Sequence, residues 1–167
     1  YNEHYTHRFR KEDGSYLWFK WQFNKDENTS DYYIIGEDVS ELKRINSALT
    51  ALETTTDTGY WEIDLDTRHL YWSDYVHRIH ETNPITFKPK LEDGIKFYHP
   101  DSIPRLISKL QKLEETGESY STDLNFITSK GKNLIVNATG FSEVINGRIV
   151  RNFGTFKDLT MQKEDEI

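Results

Sequence analysis

Residues 5–38 read as strands, and the first of them alternates in character from one position to the next. Thr6, Arg8 and Arg10 alternate with His7 and Phe9, and Leu17, Phe19, Trp21 and Phe23 follow in a run rich in strand formers. A period of two is the period of a pleated strand, and these residue types favour it. Asp13-Gly14 between the two runs is a tight hairpin turn. Asn24 to Ser30 is a polar loop, and Tyr32–Ile35 a third short strand. The pattern predicts a three-stranded meander with no helix to cover it.

The period then lengthens. Leu42, Ile45, Leu49 and Leu52 are spaced three, four and three apart, as on one stripe of a helix. Ser40 is placed to cap its start, and Thr54-Thr55-Thr56, three β-branched residues, to end it. The stripe suits either a surface helix or a helical linker that pairs with its twin in a dimer, although two heptads cannot hold a coiled coil alone.

From Gly59 a larger unit begins. Trp61, Ile63 and Leu65 alternate with Glu62 and Asp64, giving a half-buried strand, and Asp66-Thr67 turns the chain into Leu70–Trp72. Ser73 is expected to cap a short helix carrying Val76 and Ile79, a second short helix is expected over Leu91–Tyr98, and Asp101 is expected to cap a longer one. Pro104 fits the first turn of that helix, Ile103, Leu106, Leu110 and Leu113 form its stripe, and Gly117 stops it. Strands at about 120–129, 133–143 and 148–157 close the unit. They are joined by Lys130-Gly131-Lys132 and by Asn146-Gly147, the strongest hairpin signal in the chain.

Composition narrows the function. The 167 residues contain no cysteine, which excludes disulfides, thiolate metal sites, cysteine nucleophiles and cysteinyl adducts to a cofactor. The net charge of −7 comes without a basic stripe, so the fragment is a poor partner for nucleic acid or anionic lipid. No apolar run is long enough to span a bilayer, and the chain is expected to work in the cytoplasm. Tyr1 reads as a cut in a longer chain. No glycine-rich phosphate loop and no nucleophile elbow is present, so no catalytic residue is assigned and the fragment is read as regulatory, not as an enzyme.

The last meander resembles the first. Phe9-Arg10-Lys11-Glu12-Asp13-Gly14 aligns with Phe126-Ile127-Thr128-Ser129-Lys130-Gly131, and Glu37-Asp38-Val39-Ser40 with Lys157-Asp158-Leu159-Thr160, Lys43 matching Lys163. The offset grows from 117 at the glycine to 120 at the aspartate, as three extra residues in the second hairpin require.

With these motifs in hand, the chain resembles the PAS family of sensory domains. Gly59-Tyr60-Trp61 with Asp64-Leu65 matches the opening Gly-x-Trp strand, Tyr71-Trp72-Ser73-Asp74 the second strand and helix start, Phe97-Tyr98-His99-Pro100-Asp101 the approach to the long helix, and Asp158-Leu159-Thr160 the closing signature. Arg10, Asp13, Gly14, Ser15, Tyr16 and Trp18 match the C-terminal PAC part of such a domain. The resemblance implies an α+β fold: a five-stranded antiparallel sheet in order 2-1-5-4-3 with helices on one face, preceded by a partial β-meander and a helical linker. The implied division is 1–39 as the C-terminal part of a truncated PAS domain, 40–56 as linker, 57–162 as a complete domain and 163–167 as the start of an output linker. It also implies a bacterial signalling parent, a histidine kinase or a diguanylate cyclase, whose output domain is the partner in the same chain.

Trp61, Trp72, Tyr75, Phe97, Phe126 and Phe153 are the aromatic residues that could face the space between sheet and helices. They describe either a filled core or an apolar pocket for a small ligand, with Asn125, Asn137, Thr139 and Asn152 as candidate polar groups. Strand register decides which of them turn inward. His77 and His80 share a helix face but lack the further ligands a metal needs, so they are read as a solvated pair, and His99 as part of a turn. No metal or cofactor is predicted. Residues 102–116 hold no histidine, which disfavours haem, and the missing cysteine excludes a cysteinyl-flavin; a small ligand held without a covalent bond is the remaining option. Asp158 with Thr160, and Asp38 with Ser40, are candidates to relay a change from strand to helix, the aspartate fixing the junction by hydrogen bonds and Thr160 or Ser40 capping the helix. The expected partner is a second copy, met through the linker helix and the sheet, and the edge at Tyr32–Ile35 is expected to pack on another chain or on the complete unit.

Overall fold

A computed structural model describes residues 3–26 and 28–164. The chain divides into two compact units, Tyr1–Leu52 and Glu53–Ile167.

In the first unit, strands β1 (Glu3–Arg10), β2 (Tyr16–Lys25) and β3 (Tyr32–Asp38) form an antiparallel meander. The third strand runs three residues beyond the expected Ile35, because Gly36, Glu37 and Asp38 continue the ladder opposite Trp21, Lys20 and Phe19. Gly14 turns the first hairpin with φ +84°, a conformation glycine adopts without penalty. One face of the meander is aromatic, with Phe19 stacked on Trp21 and Trp21 on His7 at ring separations of 5.3 and 6.1 Å. Helix α1 (Ser40–Thr56) follows, and the apolar residues of its stripe, Leu42, Ile45, Leu49 and Leu52, are all exposed.

The second unit contains β4 (Thr58–Asp64), β5 (Leu70–Trp72), helices α2 (Asp74–His80), α3 (Leu91–Ile95) and α4 (Ile103–Thr116), then β6 (Tyr120–Ile127), β7 (Asn133–Ile145), β8 (Arg148–Asp158) and a short α5 (Thr160–Glu164). Its five antiparallel strands lie in the order β5-β4-β8-β7-β6, which is the expected 2-1-5-4-3. Asp165 and Glu166, read as the start of an output linker, lie outside the described residues. Along β7, Leu134, Val136 and Ala138 are buried while Asn133, Ile135, Asn137 and Thr139 are not, so one sheet face packs on the helices and the other is open. Asn146 and Gly147, both at positive φ, form the two-residue turn between β7 and β8.

Four expected caps are used differently. Ser73 accepts the N–H of Tyr60 through Oγ (3.1 Å) and gives its own N–H to the Tyr60 carbonyl (2.9 Å), tying β4 to α2 rather than capping the helix. Asp101 stands one residue before the N-cap position, Ser102, and accepts from the Ser102 hydroxyl (2.9 Å) and the Asn125 amide (3.2 Å). Ser40 and Thr160 turn their hydroxyl oxygens across the sheet, as described below. Helix α3 ends at Ile95 instead of reaching Tyr98, because the next residues pair with β6: Ile127 N–H donates to the Phe97 carbonyl (2.7 Å) and His99 N–H to the Asn125 carbonyl (2.9 Å).

Candidate functional site

The helix-facing side of β4, β5, β7 and β8 carries Trp61, Trp72, Ala138 and Phe156. Leu106 and Leu110 of α4 stand opposite them, and a cavity of about 60 Å³ remains between the two layers. The walls are apolar except for His80, Tyr98 and Tyr120. An engineered apolar cavity that admits benzene measures about 150 Å³, so this chamber as folded takes something smaller.

His80 is the feature that sequence reasoning missed. It is buried, not solvated, and so is His77. Helix α2 is packed on both sides: the His80 ring lies 4.0 Å from that of Trp72, 4.7 Å from Phe126 and 5.0 Å from Phe156. His80 Nδ1 donates to the Val76 carbonyl at 2.8 Å, one turn back along α2. Burial among aromatic rings pushes its pKa down to about 3, so the imidazole is neutral at pH 7. With the proton fixed on Nδ1, Nε2 is left as a hydrogen-bond acceptor. His77 instead shares a hydrogen bond with the Thr82 hydroxyl (2.9 Å), and burial lowers its pKa as well. Burial also raises the Tyr98 and Tyr120 phenols, which stay protonated.

The other expected pocket residues divide by strand parity. Phe126 is fully buried and stacks on Phe97 at 5.9 Å, both in the core beside the cavity. Phe153 is on the open face with Tyr60 and Phe141. Asn137 is on that face too, donating to Asp123 (2.8 Å) and Ser121 (3.2 Å), and Thr139 bonds Thr155 there. Asn125 is exposed. Asn152 is buried toward the helices, where it accepts from the Ser142 hydroxyl (2.7 Å). Tyr75 points away from the cavity and donates to Asp57 at 2.6 Å, beside a surface groove that Asp158 and Gln162 also line. His99 pairs with Asp101 at 2.9 Å in the turn before α4. Among the described residues no group of three His, Asp or Glu side chains is placed to hold a metal ion.

The two strand-to-helix junctions are wired alike. Asp38 Oδ1 accepts the N–H of Ser40 (2.9 Å), and Asp158 Oδ1 that of Thr160 (2.9 Å). Ser40 Oγ accepts the N–H of Trp18 (2.8 Å), and Thr160 Oγ1 that of Ile135 (3.1 Å). Val39 N–H donates to the Trp18 carbonyl and Leu159 N–H to the Ile135 carbonyl, both at 2.8 Å. The aspartate therefore acts as the cap, and the hydroxyl expected to cap holds the neighbouring strand. Register agrees as well, with Phe19 opposite Asp38 and Val136 opposite Asp158.

A comparison with family profiles matches residues 69–156, a little over half of the chain, to the PAS fold. The chain belongs to the PAS family. Among solved structures, its PAS unit is similar to a sensory box histidine kinase/response regulator from Burkholderia thailandensis (20% identity, TM-score 0.59, covering 70% of this chain and 88% of that one). It is also similar to the N-terminal domain of a diguanylate cyclase with PAS/PAC sensor from Marinobacter aquaeolei (16%, 0.58, 64% and 98%). A third similar structure is a PAS domain from Colwellia psychrerythraea (13%, 0.55, 72% and 98%). At these identities the likeness is one of fold. No curated protein matches the chain. No helix among the described residues is long and apolar enough to cross a membrane.

Proposed function

We propose that the second unit is a sensory PAS module that takes a small ligand in the cavity between sheet and helices and passes its occupancy to α5. The observation that carries this reading is a short path along one strand. Phe156 lines the cavity, and two residues later Asp158 holds Thr160 at the start of α5. A side chain that shifts to admit a ligand would move the strand end to which the helix is bonded. Such a shift changes output only as far as the ligand prefers one of the two arrangements.

The first unit is read as the PAC meander of a second PAS domain. Its support is the repeated turn, register and junction wiring. The parent is read as a bacterial histidine kinase or diguanylate cyclase working in the cytoplasm, from the kind of protein in which similar domains occur; reading the gene past residue 167 tests that part. A second reading is a ligand-free relay that works as a homodimer, favoured by the exposed stripe Leu42, Ile45, Leu49 and Leu52.

Native mass spectrometry of freshly purified chain, with light scattering, separates the two. A bound small molecule supports sensing. A bare chain that dimerises, and loses its dimer on Leu49→Asp, supports the relay.

A further inference from the structure

His80 supplies an acceptor that the protein leaves unused. The side chain is 2% exposed and lines the cavity. Its Nδ1 is committed to the Val76 carbonyl, and Nε2 has no hydrogen-bond partner among the described residues. The Trp61 N–H, by contrast, is already spent on the Thr139 carbonyl at 3.0 Å. Among the described residues the buried side-chain atoms left without a partner are Trp21 Nε1 and Glu53 Oε1, so Nε2 of His80 is not sealed in the packing but meets the free space of the cavity, and the lining there describes the complement of an occupant.

That complement can be read group by group. No carboxylate and no lysine or arginine lines the cavity, which argues against both a cation and an anion. The walls call for an apolar body, and the volume for one smaller than benzene. An acceptor nitrogen fixed in one tautomer calls for an O–H or N–H donor.

We propose that the cavity binds a small neutral molecule with an apolar body and a single O–H or N–H donor, and that this donor bonds Nε2 of His80. The proposal rests on the sensory reading above and adds the chemistry of the ligand.

Pyrrole and furan test it. They have nearly the same size and shape, but only pyrrole carries a donor. Each is titrated into the whole 167-residue chain, with histidine labelled in its ring nitrogens and followed by NMR. Pyrrole is expected to shift the His80 Nε2 resonance and to bind about tenfold more tightly than furan, the scale of one hydrogen bond. His80→Phe should bring the two affinities together. Should that variant lose its native spectrum, Leu110→Ala enlarges the cavity with His80 in place, and phenol should then bind more tightly than anisole.

Equal binding of pyrrole and furan overturns the donor assignment and leaves the sensory reading standing. So does binding that leaves the Nε2 resonance unmoved. If none of the four probes binds either the native chain or Leu110→Ala, the cavity holds only water and the sensory reading falls with the proposal.

Discussion

The indole N–H of Trp61 donates to the backbone carbonyl of Thr139 at 3.0 Å, reaching from β4 across β8 to β7. The reach is open because Gly154 lies beneath it: a Cβ there would overlap the Thr139 carbonyl and touch the indole nitrogen. The ladder between β7 and β8 gives way at this point. Thr155 N–H goes to the Thr139 hydroxyl (2.8 Å) instead of to the carbonyl. Side chains therefore hold the sheet together beside the cavity wall formed by Ala138 and Phe156.

Trp61→Phe should keep the packing and strand that carbonyl, at a cost of about 1–3 kcal/mol. Gly154→Ala should cost about 1–3 kcal/mol through overpacking. Urea unfolding of the two single variants checks both values. Wild-type stability in Trp61→Phe would mean that water satisfies the Thr139 carbonyl.

His80 predicts an acid limb of the stability curve. Its pKa is about 3 when folded and near 6.5 when unfolded, so the unfolded chain binds more protons between these values. The stability due to neutral His80 is complete above pH 6.5 and is lost as pH falls toward 3, at a limiting slope of about 1.4 kcal/mol per pH unit. His77 adds to the loss in the same direction. Urea midpoints at pH 7, 6 and 5 should fall steadily in the native chain. In His80→Phe they should fall less.

Asp158→Ala removes the acceptor for both the N–H and the hydroxyl of Thr160 and should cost about 0.5–2 kcal/mol, the usual worth of a helix cap. Hydrogen exchange should quicken at Ile135, whose N–H donates to Thr160. In a signalling parent the same variant should separate output from input. Unaltered regulation would assign the junction a purely structural role.

Tyr75 should titrate late. Burial first, and then its bond to Asp57, raise the phenol to about 12. Asp57→Ala should bring it partway back toward 10, as followed by ring-carbon NMR across alkaline pH. A phenol that titrates near 10 in the native chain would mean that the bond to Asp57 is not formed in solution.

Turns, strands and the repeat were legible because they rest on local rules. Asp13-Gly14 and Lys130-Gly131 place their glycines at φ +84° and +82° in hairpins of matching register. The parity of β8 was not legible. Phe153 is more apolar than its neighbours, yet Asn152, Gly154 and Phe156 are the residues that turn inward. Asn152 tolerates burial only because Ser142, distant in sequence, bonds its oxygen. His80 was missed because Phe126 and Phe156, which enclose it, come from strands far along the chain. One local signal was available: it sits four residues from Val76 and one from Ile79, on the apolar stripe of its own helix.

The duplicated junction makes the molecule its own control. Asp38 and Asp158 carry the same bonds to the same kinds of neighbour, but only Asp158 ends a strand that walls the cavity in the second unit. An occupant of that cavity should alter exchange at Ile135 and leave Trp18, its counterpart, unchanged. The difference between those two amides would isolate the message from the hardware that carries it.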